Sequence, residues 1–153
     1  MDTLEKYRQT IEAILAAVYD VISGPKGQAR DWDRMRSLFV PGARLIPCLP
    51  KGDDGRVAIR TLTVDDYITR SGPILKEKGF FERQIACRID RFGHLAQVFS
   101  TYETRLDGEA GILGRGINGI QLLWDEKRWW VVTIMWDSES PSQAIPAEYD
   151  AKR

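Results

Sequence analysis

The spacing of apolar residues predicts helices in the first half of the chain. Residues 3–23 carry apolar side chains every three or four positions, as an amphipathic helix does: Leu4, Tyr7, Ile11, Ile14, Leu15, Val18 and Ile22. Ser23-Gly24-Pro25 should end this helix, because glycine favours a helix C-cap and proline cannot continue it. Asp31 should cap a second, short helix. Thr63 and Asp66 resemble a capping box, which predicts a third helix to about residue 78, with a break or a kink at Gly72-Pro73.

The remaining segments read as antiparallel strands. Residues 43–47 and 56–62 should pair around a polar turn, and residues 80–105 should form a long hairpin that turns at Gly93-His94. Strict alternation then separates two faces of the long hairpin. One face is apolar, with Ile85, Cys87, Ile89, Ala96, Val98, Ser100 and Tyr102. The other is polar, and on it Glu82 falls opposite Arg105, a favourable cross-strand pair.

A second hairpin, residues 114–137, turns at Asp125–Arg128 and places Trp124 opposite Trp129. One face carries Asn118, Ile120, Leu122, Trp124, Trp129, Val131, Thr133, Met135 and Asp137, and the other carries Ile117, Gln121, Leu123, Trp130, Val132, Ile134 and Trp136. Both faces are apolar, so each needs a cover. We expect the chain's own helices on one face and a second copy of the chain on the other. A C-terminal segment folded over that face is the alternative.

Helices followed by antiparallel strands predict an α+β fold, a curved antiparallel (mixed) sheet wrapped around N-terminal helices, with residues 1–153 as one domain and a polar tail from residue 139. Lysine and arginine together number 22, as do aspartate and glutamate, so we expect no nucleic-acid or anionic-membrane partner. No apolar stretch approaches the ~20 residues of a membrane span. The charged N-terminus and two scattered cysteines indicate a cytoplasmic protein.

The order of elements resembles the nuclear transport factor 2-like superfamily, with its SnoaL-like and ketosteroid-isomerase-like, cystatin-like members. The resemblance is carried by residues 31–34, 38–45, 99–103, 115–118 and 128–137. It implies a cone with an internal pocket and a homodimer through the outer sheet face, here Trp130, Val132, Ile134 and Trp136. It also implies functions that range from isomerases, dehydratases and cyclases to non-enzymatic binders.

The candidate catalytic and ligand-binding residues depend on which face of the second hairpin lines that pocket. We expect the face with Asn118, Thr133, Met135 and Asp137 to do so, and the face with Gln121 and Trp136 is the alternative. An apolar pocket with a few polar groups suits a small apolar or aromatic molecule. The ligand-binding set would be Trp32, Ser100, Tyr102, Asn118, Thr133 and Met135. Asp137 would act as a general base, with Tyr19 or Tyr102 stabilising an oxyanion.

Each candidate has a structural alternative. Tyr19 and Tyr102 fit core positions, Asn118 could pin a strand, and Asp137 could face solvent at its strand end. His94, the one histidine, lies in a turn, which argues against a metal site, against serine or cysteine nucleophilic catalysis and against a histidine pair. The expectation is therefore a cofactor-independent isomerase, dehydratase or cyclase, and the alternative is a ligand carrier, sensor or protein-interaction adaptor.

Overall fold

The computed structural model describes residues 10–151 and has the predicted α+β architecture. The elements follow in the order α1 (Ile11–Ile22), α2 (Trp32–Leu38), β1 (Phe39–Pro47), α3 (Val64–Lys78), β2 (Phe80–Phe92), β3 (Leu95–Leu106), β4 (Gly114–Trp124), β5 (Trp129–Ser138) and a 3₁₀ turn, Ala147–Tyr149. The strands form one mixed sheet in the order β1-β5-β4-β3-β2, in which only the β1–β5 pairing is parallel. One face of this sheet packs on the helices, and we call it the inner face.

α2 and α3 begin where the sequence indicates, whereas α1 begins at Ile11 and not at residue 3, because Thr10 is extended and caps it by accepting a hydrogen bond from the Ala13 N–H. The Asp31 side chain accepts a hydrogen bond from the backbone N–H of Arg34, and Thr63 and Asp66 form both bonds of a capping box. In α1 the predicted stripe from Ile11 to Ile22 is buried in the core, whereas Leu4 and Tyr7 lie outside the described residues. α3 runs through Pro73 without the predicted break. A Cβ atom at the neighbouring Gly72 would lie 3.2 Å from the Trp32 ring, so the glycine allows this ring to approach α3 closely.

The segment after β1 does not form the predicted strand. Residues 56–62 meet the β1 side of the sheet only at isolated bridges, Leu45 with Leu62 and Cys48 with Ile59. Residues 56–61 are exposed, Val57 and Ile59 included, and only Leu62 is buried, so the segment does not pack as a strand of the sheet.

β2 contains a β-bulge that changes its register. Phe92 pairs with Leu95, as predicted, and Ile89 still pairs with Val98. The register then shifts between Gln84 and Ala86, and Ile85 is the extra residue. The predicted pairing of Glu82 with Arg105 is therefore wrong.

Beyond that bulge, Glu82 pairs with Thr104, Arg83 pairs with Glu103 and Gln84 pairs with Tyr102. Because side chains alternate between faces along a strand, one extra residue moves Glu82 and Gln84 to the inner face. Two polar residues expected outside are thus brought to the side that packs on the helices.

β5 contains a second bulge with the same effect. Trp124 pairs with Trp129, as predicted, but Val132 is an extra residue between the pairs Leu122–Val131 and Gln121–Thr133. From that point on, the faces exchange. Ile134 and Trp136 point inward, while Thr133, Met135 and Asp137 lie on the outer face. The predicted outer row Trp130, Val132, Ile134 and Trp136 is therefore wrong for Ile134 and Trp136.

The C-terminal tail covers part of the outer face, which was the alternative left open by the sequence. The Tyr149 ring packs edge-on against Phe99 with 5.3 Å between centroids, and its carbonyl accepts a hydrogen bond from Thr101. Arg115 on β4 holds Asp150 at 2.7 Å. Phe99, Leu123 and Met135 remain between 37% and 47% exposed on this face.

Gly116 on β4 permits the close approach of Tyr102. A Cβ atom at residue 116 would collide with the Tyr102 hydroxyl and the Asp137 carbonyl, whereas at Gly119 on the same strand the nearest atom is 3.4 Å away. We expect Gly116→Ala to lower the free energy of unfolding by about 1–3 kcal/mol, because overpacking forces the neighbours to move. Gly119→Ala is the matched control. Urea unfolding measures both, and equal losses would contradict the close approach.

Candidate functional site

A cavity of about 250 Å³ lies between the inner face of the sheet and the three helices. Its volume is just below the roughly 300–1,000 Å³ of sites for drug-sized ligands. Most of the lining is apolar, including Val18, Met35, Phe39, Leu45, Ile134 and Trp136. The polar groups are few: Tyr67 and Ser71 on α3, Glu82 on β2 and Asn118 on β4. None of the described lining residues is a lysine, arginine or histidine.

A chain of buried hydrogen bonds joins α1 to the sheet beside this cavity. The Asn118 side-chain amide donates to the Tyr19 hydroxyl at 3.0 Å. Ser100 donates its hydroxyl proton to the Gln84 side-chain carbonyl at 2.6 Å, so the Tyr19 hydroxyl donates to Ser100 at 2.5 Å. Each hydroxyl in the chain both accepts and donates, which satisfies these buried groups and fixes their orientation.

Glu82 is the carboxyl group of the cavity. Burial raises its pKa from 4.5 to about 7, and interaction with the Asn118 side chain opposes part of that rise. The side chain borders the cavity on one side and, on the other, a groove between α1 and β2. A carboxyl group with a pKa near neutrality can both accept and donate a proton, which is what general acid–base catalysis requires.

The backbone of Glu82 is held by the residue that ends α1. The Ser23 hydroxyl accepts a hydrogen bond from the Glu82 N–H at 3.0 Å and lies 3.3 Å from the Glu82 carbonyl and 2.8 Å from the Tyr19 carbonyl, both acceptors. The adjacent Gly24 and Phe80 exchange two backbone bonds at 2.8 and 2.9 Å. These contacts anchor the start of β2 to the end of α1 and thereby aim Glu82 at the cavity.

Three of the predicted site residues come together, and the others do not. Tyr19, Ser100 and Asn118 form the buried hydrogen-bond chain, and burial raises the pKa of Tyr19 above its ordinary value. Tyr102 is buried on the inner face next to Gly116, outside the cavity lining, and burial also raises its pKa. Trp32 packs on Gly72 rather than lining the cavity.

The predicted positions of Asp137, Thr133 and Met135 in the pocket are wrong, because the β5 bulge turns them outward. Asp137 is exposed, and its carboxylate accepts hydrogen bonds from the Gln143 side chain and the Ser138 N–H. Trp136, the competing candidate, lines the cavity instead.

Sequence reasoning missed Glu82, Tyr67 and Ser71. A signal for Glu82 was present, since a one-residue shift pairs Arg83 with Glu103, which is as favourable in charge as Glu82 with Arg105. Among residues 10–151, no cluster of three or more His, Cys, Asp or Glu could hold a metal ion, and no helix there is long and apolar enough to cross a membrane.

The raised pKa of Glu82 has a consequence for stability. The unfolded chain releases the Glu82 proton near pH 4.5, whereas the folded chain retains it up to about pH 7, so the wild type loses stability as the pH rises through this window. Glu82→Gln removes the effect. We expect the stability of the variant relative to wild type to increase by on the order of 3 kcal/mol between about pH 4.5 and about pH 8.

Urea unfolding at the two pH values measures this difference. Glu109→Gln, in an exposed loop, is the control for substitution of a glutamate as such. A difference between Glu82→Gln and wild type that does not change with pH would contradict the buried state of the carboxyl group.

Comparison with known proteins identifies the fold. No protein-family model matches the chain, and no curated protein matches it by sequence. A cystatin-like protein of unknown function from Nostoc punctiforme superposes with a TM-score of 0.65 at 11% identity, covering 92% of this chain and 96% of that one. A protein from Novosphingobium aromaticivorans is provisionally described as a scytalone dehydratase. It superposes with a TM-score of 0.63 at 13% identity, and the match covers 92% of this chain and 89% of that one.

A third similar structure is a nuclear transport factor 2-like protein of unknown function from Silicibacter pomeroyi. It gives a TM-score of 0.55 at 15% identity and covers 84% of this chain and 92% of that one. Identities this low carry information about the fold and not about the activity. The chain therefore has the cystatin-like α+β fold of the nuclear transport factor 2-like proteins, as its order of elements predicted.

Proposed function

We propose that the cavity binds a small, largely apolar molecule and that Glu82 transfers a proton to and from it. The observation that carries this proposal is a carboxyl group with a pKa of about 7 at the wall of an apolar cavity. The resulting activity is that of a cofactor-independent isomerase, dehydratase or cyclase.

The chemistry needs only one carboxyl group that changes its protonation state. The Glu82 carboxylate removes a proton from carbon on the ligand, so a C–H bond breaks and an O–H bond forms on Glu82, while the electron pair is delocalised onto a ligand oxygen. Returning that proton to a second carbon completes an isomerisation, and giving it to a departing hydroxyl group releases water. Asn118, fixed by Tyr19, contributes an amide beside the carboxyl group.

A carrier or sensor with the same cavity and no chemistry is the second candidate. The feature that favours it is the small number of polar groups in the lining, since binding an apolar molecule requires no proton transfer. Proton exchange separates the two candidates, because a carrier binds the molecule without exchanging its hydrogens.

We expect the protein to accelerate exchange of the C1 protons of 2-tetralone, a small ketone with acidic C–H bonds, for deuterium in D₂O. The rate should rise as Glu82 ionises through about pH 7. Glu82→Gln should lower the catalysed rate by roughly 10²–10⁴-fold, the usual contribution of a general base. Proton NMR follows the loss of signal directly.

Asp137→Asn is the matched comparison, because a straight β5 strand would have turned Asp137 into the cavity. Its exposed position predicts an unchanged exchange rate. Exchange that survives Glu82→Gln, or that is lost in Asp137→Asn, would overturn the assignment of Glu82. Binding of 2-tetralone without any accelerated exchange would favour the carrier.

We also propose that the protein forms a homodimer through the outer face of the sheet. Phe99 and Met135 flank Gly119 there and, with Leu123, leave an apolar surface on β3, β4 and β5 that the tail does not fully cover. Such a surface is favourable to bury against a second copy. The proposed face replaces the predicted row, of which Ile134 and Trp136 point inward.

Light scattering after size exclusion should give twice the mass of the chain. Met135→Arg should shift the protein towards monomer, since it places a charge in the proposed interface. Val57→Arg is the control, because Val57 is an exposed apolar residue (54%) in the loop outside the sheet. A wild-type monomer at micromolar concentration would refute the dimer.

A further inference from the structure

Two hydroxyl groups on α3 point to the ligand's chemistry. Tyr67 and Ser71 are four residues apart on the helix, so they lie on the same face, and both line the cavity. Among residues 10–151, neither hydroxyl has a hydrogen-bond partner. This contrasts with Tyr19 and Ser100, whose hydroxyls are fully engaged with each other and with neighbouring amides.

An unpaired hydroxyl at an apolar wall is unfavourable unless the occupant of the cavity supplies a partner. Removing a hydroxyl from water without a compensating hydrogen bond costs roughly 1–3 kcal/mol on the scale of protein substitutions. A hydrocarbon ligand would leave both α3 hydroxyls in that state. A ligand with an oxygen atom at the α3 wall would satisfy them.

The Tyr67 hydroxyl keeps its proton and can serve as a hydrogen-bond donor in the cavity. Arg30 is buried beneath α3, and its guanidinium donates to the carbonyls of Ile22, Gly24, Gln28 and Leu75, with no carboxylate among these partners. Burial raises the pKa of Tyr67, the negative charge of Glu82 raises it further, and the charge of Arg30 opposes part of that rise. The phenol therefore stays protonated and can donate a hydrogen bond to a ligand oxygen.

The cavity is nevertheless unsuited to an anionic ligand. The described lining residues contribute no cationic side chain, and Glu82 would carry a negative charge of its own above neutral pH. The donors of Arg30 are already engaged by backbone carbonyls and do not reach the lining. A carboxylate or phosphate in this cavity would lose its hydration without gaining an ion pair.

We propose that Tyr67 and Ser71 form an oxygen-binding subsite on the α3 wall, so that the cavity selects a neutral molecule with a carbonyl or hydroxyl group. The ligand lies with that oxygen at α3 and its carbon skeleton towards Glu82 and Trp136. This inference rests on the proposed function only for the location of the binding site. It does not require proton transfer by Glu82.

The test compares three bicyclic probes of similar size: naphthalene, 2-naphthol and 2-naphthoate. Dissociation constants are measured by ligand-observed NMR on the whole chain at about pH 8. We expect 2-naphthol to bind roughly threefold to tenfold more tightly than naphthalene, the range for one or two hydrogen bonds, and 2-naphthoate to bind most weakly.

Tyr67→Phe should remove most of the preference for 2-naphthol and leave naphthalene binding unchanged. Ser71→Ala should remove a smaller part. Tyr102→Phe is the matched control, because it deletes a buried tyrosine hydroxyl outside the cavity lining and should change neither constant. Melting temperatures of all variants establish that each one is folded.

The outcomes distinguish this inference from the proposed function. The subsite would be overturned if Tyr67→Phe weakened the binding of naphthalene and 2-naphthol equally, or if both α3 variants kept the preference for 2-naphthol. Either result would leave ligand binding in the cavity unaffected. Tighter binding of 2-naphthoate would refute the selection of neutral ligands. A preserved preference for 2-naphthol in a protein that exchanges no protons of 2-tetralone would support the subsite and reject catalysis by Glu82. Failure of all three probes to bind would overturn both proposals.

Discussion

The composition of the cavity wall depends on one geometric rule: side chains alternate between the two faces of a strand, and one inserted residue reverses the alternation. Two strands contain such an inserted residue. The bulge at Ile85 brings Glu82 and Gln84 to the inner face, and the bulge at Val132 brings Ile134 and Trp136 there. Without the first insertion the cavity would have no carboxyl group. Without the second, Thr133, Met135 and Asp137 would face inward in place of Ile134 and Trp136.

Much of the fold was readable from the sequence because its signals are local. The helix caps at Asp31 and Thr63 and the turns that set Phe92 opposite Leu95 are confirmed. The bulges could not be predicted, because the pattern of apolar and charged residues is equally compatible with the shifted and the unshifted register. In β5 both candidate rows are apolar, and in β2 either register aligns opposite charges. In β2 the observed register is accompanied by long-range contacts with the end of α1, where Ser23 bonds Glu82 and Gly24 bonds Phe80. The sequence therefore indicated Tyr19, Ser100 and Asn118, which the structure joins by hydrogen bonds, and it did not indicate the acid Glu82.

The polar groups of the inner face divide into two kinds. The hydroxyls of Tyr19 and Ser100 are saturated by hydrogen bonds, and such a network makes a rigid wall. Glu82, Tyr67 and Ser71 retain capacity for a bound molecule. A cavity built in this way combines a fixed shape with a few polar groups that can still bond a ligand, which suits recognition of a small molecule. The Ser23 hydroxyl links the two kinds, since it bonds the backbone of both Tyr19 and Glu82.

The insertion at Ile85 also matters for how the protein behaves among other copies of itself. β2 is an edge strand, and an edge with an unbroken row of free N–H and C=O groups is a template on which another chain can add a strand. The irregularity interrupts that row midway, and Ser23 occupies backbone groups near its beginning. The residue that turns an acid inward thus also makes the edge a poor template for aggregation, so straightening β2 would endanger solubility as well as the inward position of Glu82.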